Sequence, residues 1–387
     1  MNVDERIALL VDGNVPPNDA ERFLRRQFDL GLAWVHFDEG LGGANLESAV
    51  QTDVDTAIAE IGGPNAFHGS PIGVGIVAPS LHAYGRKDQK LRYLRPLFSG
   101  EEIWCQLFSE PGAGSDLANI STRAVLDGDE WVVNGQKVWT SQASIARWGF
   151  LLARTDSAAV KHAGLTCFVV DMRSHGIDVR PLVQMTGEAE FNEVYLTDVR
   201  IPAVDMVGSV GDGWRIAMTT LMNERVAIGG RVPERNDGPI GAALRAWQRD
   251  AGEHANMRQD LVRLWIRAEV QRLLNLRMRA NRAATGPGPE GSIPKLIAAR
   301  LNADITSFLM DLVGAAAMLK PDGYPRERAT GSAFNYNDVQ HDFLRAPANA
   351  IEGGTSEIAK NVLGERVLGL PPEPRVDKGV PWKDLAR

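Results

Sequence analysis

From the first residue to about residue 104, apolar positions recur at helical spacing. Ala20, Phe23, Leu24 and Phe28 fall on one face of a 3.6-residue turn, and Gly62-Gly63-Pro64 and Gly69-Ser70-Pro71 interrupt the pattern. A helical unit is predicted there. Between about 105 and 205 the texture changes to short β-rich runs, Trp131-Val132-Val133, Phe150-Leu151-Leu152 and Cys167-Phe168-Val169-Val170. Asp127-Gly128 and Asn134-Gly135 punctuate them, dipeptides favoured in tight hairpins because their residues tolerate positive φ. This predicts a small antiparallel β-domain. From Gly211-Asp212-Gly213 onward helical spacing returns, predicting helices over roughly 214–228, 257–283, 293–318 and 356–368, with Gly229-Gly230 closing the first. The polar stretch 231–256 contains Pro233, Gly238 and Pro239 and reads as a loop with at most a short helix near 241–249. The expected fold is α+β and mainly α: helical over 1–104, β over 105–205 and helical over 206–387.

A chain of 387 residues with 44% hydrophobic content can build two or three domains, or one large composite fold, around a substantial core. Its 42 Lys and Arg are interspersed with 49 Asp and Glu, for a net charge of −7; no basic run tracks nucleic acid, which is excluded as a partner. Cys105 and Cys167 are too few for a disulfide framework and sit in apolar stretches that read as buried strand, so free thiols in a reducing cytoplasm are expected. The N-terminus is acidic where a secretory signal is basic, and no apolar run approaches the roughly 18 residues that span a bilayer. None of the seven His shows metal-ligand spacing, and Asp338, His341 and Asp342 read as a polar helix face; no metal is expected. No Gly-x-Ser-x-Gly elbow points to a serine hydrolase. The Arg residues from 258 to 282 share a helix with Leu261, Leu264, Trp265 and Leu273 and read as its solvated or subunit-facing side.

The most informative segment is Cys105-Gln106-Leu107-Phe108-Ser109-Glu110-Pro111-Gly112-Ala113-Gly114-Ser115-Asp116, a glycine-containing turn after an apolar strand. Small residues let backbone amides approach a ligand, and the flanking hydroxyls can bond phosphate or ring heteroatoms. It is neither a dinucleotide fingerprint nor a P-loop. Further along stand Asn134-Gly135-Gln136-Lys137-Val138-Trp139-Thr140-Ser141 with Phe150-Leu151-Leu152-Ala153-Arg154, then Phe191-Asn192-Glu193-Val194 through Asp198-Val199-Arg200-Ile201-Pro202, and finally Ile351-Glu352-Gly353-Gly354-Thr355-Ser356-Glu357-Ile358.

In these four motifs, in this order, the chain resembles the acyl-CoA dehydrogenase family over about residues 20–375. The resemblance implies a helical domain, a β-domain and a C-terminal four-helix domain, with FAD at their junction and between subunits. It implies that Gln106 to Ser115, including Gly114, line the flavin and its pyrophosphate, with Phe108 and Ser109 nearest the ring. Trp139 and Ser141 would cover the ring's other exposed side, and Thr355 and Glu357 would touch the cofactor. Ser115, Arg225 and Gly354 would contact an acyl-CoA substrate. The implied reaction is α,β-dehydrogenation, with electrons passed to an electron-transfer flavoprotein.

Such chemistry needs a base for the α proton. In the medium-chain branch this Glu directly precedes Gly-Thr, where this chain has Gly353. The isovaleryl-CoA and long-chain branches place it after the β-domain, immediately before an Arg, as in Leu221-Met222-Asn223-Glu224-Arg225 here. Glu224 shares a helical face with Ala217, Leu221 and Ile228, apolar surroundings that raise a carboxylate toward the working range of a base. Glu352, one residue from the medium-chain position, is the competing candidate. Two departures touch the part of the FAD site supplied by a second subunit: Glu253 replaces an Arg, and Gly314-Ala315-Ala316-Ala317 replaces a Gly-Gly-x-Gly turn. The expected assembly is therefore a homodimer or homotetramer, or a mixed tetramer with a related subunit. The alternatives to the dehydrogenase are an oxygen-using relative, such as an acyl-CoA oxidase or flavin monooxygenase, and a non-catalytic subunit that completes a partner's site.

Overall fold

The computed structural model describes residues 1–12, 19–229, 232–249, 254–285, 288–319, 338–375 and 377–385, without the side chains of 225–229 and 282–285. The chain forms two compact units, one of residues 1–182, 190–223 and 375–387, the other of 183–189 and 224–374.

The first unit opens with α1 (Val3–Val11), α2 (Ala20–Asp29), α3 (Gln51–Glu60), α4 (Ala66–Gly69), α5 (Ala78–Tyr84) and α6 (Lys87–Ser99). Phe23, Leu24 and Phe28 of α2 are buried as their spacing predicts, while Ala20 stays exposed at its first turn. Asp19 caps α2 by accepting from the Arg22 amide, and Gly100, at φ +81°, ends α6. The strands are β1 (Trp104–Leu107), β2 (Arg123–Asp127), β3 (Glu130–Ser141), β4 (Trp148–Arg154), β5 (Leu165–Asp171), β6 (Ile177–Leu182), β7 (Phe191–Pro202) and β8 (Met206–Val207). They form one sheet in the order β6-β7-β3-β2-β4-β5-β8, with β1 on β4. Pairing is antiparallel, except that β1 and a single residue pair of β2 run parallel to β4.

Strand β4 shows why its sequence is apolar throughout. Successive side chains point to opposite faces, and both faces are covered: Phe150 and Leu152 join a core with the helices, while Leu151 and Ala153 join a second core with Val133 and Phe168. Both cysteines are buried and free, as expected. Asp127-Gly128 makes the predicted β2–β3 turn, with Asp127 paired to Glu130 and Gly128 at φ +68°. Asn134-Gly135 does not turn the chain. It lies inside β3 at a bulge against β7, where a Cβ on Gly135 would stand 2.3 Å from Thr122 Oγ1, so close backbone approach requires the glycine.

Helix α7 (Gly213–Gly229) spans the expected 214–228 and buries Ile216 and Ala217 in the first unit's core. The second unit contains α8 (Gly238–Arg249), α9 (Arg258–Thr285), α10 (Ser292–Val313), α11 (Val339–Arg345) and α12 (Ser356–Arg366). Helix α8 starts earlier than the short helix expected near 241, and α10 stops at Val313, where Gly314 takes φ +62° and the chain tightens into a 3-10 turn. Leu261 and Leu264 of α9 pack with Ile240, Ile305 and Phe308. Along α9, Arg263 and Arg272 pair with Asp260 and Glu269 of the same helix and Arg267 reaches Asp304 of α10, while Ile266, Val270 and Leu273 remain exposed.

Asp338, His341 and Asp342 depart from the expected polar face. His341 and Asp342 are buried; the imidazole lies 3.0 Å from Glu188 Oε2 and 3.2 Å from Asp342 Oδ1, while Asp338 caps α11. Two carboxylates satisfy a histidine that would otherwise be an unpaired polar group in the core. Among the described residues, no group of His, Cys, Asp and Glu is suited to hold a metal ion, and no helix is long and apolar enough to cross a membrane.

Candidate functional site

The turn after β1 is held from behind. Glu110 and Ala113 exchange main-chain hydrogen bonds of 3.1 and 3.0 Å, closing the chain around Pro111 and Gly112. The Glu110 carboxylate turns inward, where it accepts from the Ser121 amide (2.7 Å), the Ser121 hydroxyl (2.9 Å), the Thr122 amide (2.9 Å) and the Lys137 ammonium (2.8 Å). Lys137, fully buried, also donates to the Phe108 carbonyl at 2.9 Å. Burial alone would raise the Glu110 carboxyl, but Lys137 and the hydrogen bonds outweigh it and hold it at about 2. Burial pulls Lys137 below the usual lysine range and Glu110 opposes that pull. The two form a buried pair with most of its hydrogen-bonding capacity filled.

Facing outward, the turn is open. Gly112, Gly114, Ser115 and Asp116 are exposed, and a Cβ added to Gly112 or Gly114 would meet nothing within 4 Å. Among the described residues, neither Gly114 nor Ser115 donates its amide to a main-chain carbonyl. Of the other predicted residues, Gln106 is half-buried on β1, and Phe108 sends its ring into the core beside Phe150, leaving only its main chain to the site. Ser109 is half-buried, and its carbonyl accepts from the Val138 amide at 2.9 Å, which sets the two central motifs side by side.

Trp139 lies one residue beyond. It stands at φ +60° in a β3 irregularity between Lys137 and Thr140, with 62% of its surface exposed and its ring edge-on to Phe191 at 6.0 Å. A bulky residue in left-handed backbone costs on the order of 1–3 kcal/mol, and an exposed indole returns little of that through burial. Such strain points to function. Nearby, Thr140 Oγ1, Gln142 Oε1 and Asn192 Oδ1 are buried without a protein partner among the described residues, and half-buried Ser141 closes β3 opposite Phe191. A flat aromatic ligand with a hydrogen-bonding edge and an anionic tail fits this set: indole for the ring, open amides and hydroxyls for the tail.

In the second unit, the loop before α12 turns through Gly353 (φ +64°) and Gly354 (φ +92°). Lys295 of α10, itself buried, donates to the Gly354 carbonyl and lines a small cleft with Ser292, Gly353 and Ile358. Thr355 caps α12 by accepting from the Ile358 amide, and Glu357 is exposed in its first turn. Glu352 is half-buried, its carboxylate held by Arg345 (2.7 and 3.4 Å) and by Asn349 (2.7 Å). Glu224 is half-buried on the helical face of α7 that carries Ala217, Thr220 and Leu221. Glu253 and the side chains of Arg225 and Ile228 lie outside the described residues.

The sequence reading missed the supports, Lys137, Ser121, Thr122, Lys295 and Arg345. One signal was available: a lysine within a β-rich stretch, together with an acidic residue in the glycine turn before it, marks a buried pair.

Three family models match the chain, described as the N-terminal domain (residues 7–101), the middle domain (105–199) and the C-terminal domain (211–368) of acyl-CoA dehydrogenase. Acyl-CoA dehydrogenase IpdE1 of Mycobacterium tuberculosis is 37% identical over 345 residues, covering 89% of this chain and 86% of its own length. Among solved structures, the one described as Tcur3481-Tcur3483 steroid ACAD gives a TM-score of 0.74 at 27% identity, covering 96% of this chain and 94% of that one. The ChsE4-ChsE5 complex from Mycobacterium tuberculosis gives 0.72 at 29% identity, covering 95% and 93%.

Proposed function

Because the chain belongs to the acyl-CoA dehydrogenase family of flavin-dependent oxidoreductases, we propose that it desaturates an acyl-CoA thioester to the 2-enoyl-CoA, with Glu224 as the base. The observation that carries this reading is the open Gly112–Ser115 turn held beside an exposed, strained Trp139. These residues fit FAD: Gln106, Phe108, Ser109, Gly114 and Ser115 on one side, Trp139 and Ser141 on the other, with Thr355 and Glu357 from the C-terminal loop. When bound, FAD supplies the acceptor for the hydride leaving the β carbon. Residues 1–104, 105–205 and 206–387 serve as the helical, β and C-terminal domains.

Glu224 takes the α proton. It is half-buried on the face of α7 that carries Ala217 and Leu221, and acts there as the general base. The competing carboxylate of Glu352 is occupied by Arg345 and Asn349, which tie it to the loop. Ser115, Arg225 and Gly354 hold the thioester. An electron-transfer flavoprotein takes the electrons, and buried free thiols suit a reducing cytoplasm.

Anaerobic titration with straight-chain, branched and sterol-derived CoA thioesters tests the reading. At least one class should bleach the flavin absorbance at near-stoichiometric amounts; a protein that holds flavin yet is bleached by none would refute it. Rapid reoxidation by air would assign an oxidase instead. The steroid ACAD similarity supports starting with sterol-derived thioesters. A second reading, in which an unlike chain completes the site, is favoured because both solved structures compared above carry two protein names. Native mass with FAD counted per chain decides it: one tight FAD per chain in a homo-oligomer excludes the unlike partner.

A further inference from the structure

The far side of the ligand turn is gripped by a segment that lies more than two hundred residues downstream. Residues 377–385 return to the first unit and run along its surface: Pro381 bridges to Val160, the Trp382 amide donates to the Ala159 carbonyl, and the Lys383 amide donates to the Ser157 carbonyl. Three side-chain contacts then connect this strap to the wall of the turn. Lys161, nearly buried, places its ammonium 2.9 Å from Asp116, the last residue of the turn motif, and 2.9 Å from Asp377 of the strap. The buried Trp382 indole donates to Asn119 Oδ1 at 2.9 Å. Arg154 lies over the Trp382 ring at 4.2 Å and donates to the Ala118, Ile120 and Lys161 carbonyls at 2.6, 3.0 and 3.1 Å.

We propose that the C-terminal strap is a latch for the ligand turn, with Lys161, Asp377 and Trp382 as positioning residues that hold the Asp116–Ile120 wall in its binding form. None of them needs to touch the ligand. The turn is clamped at its root by Glu110 and Lys137, but Asp116 is exposed, and the only side-chain hydrogen bonds reaching Asp116 and Asn119 among the described residues come from Lys161 and Trp382. Lys161 also neutralises a carboxylate on the very turn that is to receive an anionic group. The flavin consequence rests on the function proposed above; the ordering of the wall does not.

Two measurements on the full-length chain separate these. Hydrogen exchange reads the wall directly, through the Asn119 and Ile120 amides that bond to Asp116 and Leu117. In Asp377→Asn and Trp382→Ala, protection there should fall by about fivefold or more, with the Glu110–Ala113 turn little changed. FAD binding to the stripped protein should weaken by about three- to tenfold in both variants and in Lys161→Met, the scale of one lost hydrogen bond. Lys161→Arg should restore it. With FAD saturating, turnover should stay near that of the unaltered chain, because the base is untouched. Unchanged exchange in both strap variants would overturn the latch. Raised exchange with unchanged FAD affinity would overturn its role in binding. If the unaltered chain takes up no flavin, the functional reading fails, and the latch is judged on exchange alone.

Discussion

Two loops in this molecule share the pattern Glu-X-Gly: Glu110-Pro111-Gly112 in the first unit and Glu352-Gly353-Gly354 in the second. Each ties its glutamate into hydrogen bonds; the glycine of the first is exposed, while those of the second are half-buried. They differ in how completely the carboxylate is enclosed. Glu110 is 6% exposed and accepts from two amides, a hydroxyl and a buried ammonium, while the Glu352 side chain is 28% exposed and meets only Arg345 and Asn349. In both loops hydrogen bonds tie the glutamate into the surrounding framework. The difference in enclosure sets how far each loop should tolerate losing it, while Glu224 is the base proposed above.

The largest expected effect tests that division of labour. Glu224→Gln keeps shape and removes the proton acceptor, so flavin bleaching by a good thioester should slow by about 10²- to 10⁴-fold, the scale of a positioned base. Glu352→Gln should stay within a few-fold, since its role is to tie the loop. Stopped-flow absorbance measures both. The reverse ranking would move the catalytic role to the C-terminal loop and break the comparison.

Next is stability. Lys137→Met leaves Glu110 buried and unpaired, which should cost about 3–5 kcal/mol in urea unfolding. Arg345→Met leaves Glu352 able to reach water and should cost about 1–2 kcal/mol. Equal losses would show that enclosure is not what separates the loops. The same contrast has a pH signature. Glu110, held at about 2, lies below its ordinary value, so its contribution is complete above about pH 4.5 and is lost as pH falls toward 2. Asp377, held at about 2 chiefly by hydrogen bonds from Lys161 and Arg375, titrates in the same window, so the difference between the unaltered chain and Glu110→Gln isolates Glu110. That difference should narrow by roughly 2 kcal/mol between pH 5 and pH 3.

Helices, strands and the helical–β–helical order were legible because the residues that build them repeat at the period of the element, as on α2, α7 and β4. What was not legible depends on contacts distant in sequence. Asn134-Gly135 has the composition of a hairpin, but Thr122 requires the glycine. His341 and Asp342 look polar along the chain, yet Glu188, 153 residues away, meets the imidazole and lets both be buried. In the candidate site, the outward residues could be named because their glycines and hydroxyls stand together in one motif along the chain. The supports could not, since the fold alone pairs Glu110 with Lys137 and Glu352 with Arg345.

The smallest expected effect concerns Trp139, which distinguishes the first loop from the second. Its indole is 62% exposed and its backbone is strained, so a purely structural role would be a poor reason for a tryptophan there. Under the function proposed above, the flavin is the partner of this side chain. Removing it in Trp139→Ala should weaken FAD retention by about three- to tenfold, the worth of one aromatic pair, while Trp139→Phe should retain most of it. Unfolding stability without flavin should change by less than about 1 kcal/mol, because little of the ring is buried in the protein itself. Flavin fluorescence titration and urea unfolding of the stripped protein read the two effects separately. A stability loss above that level with unchanged FAD affinity would make Trp139 a framework residue like Glu110, and both central motifs would then serve the fold.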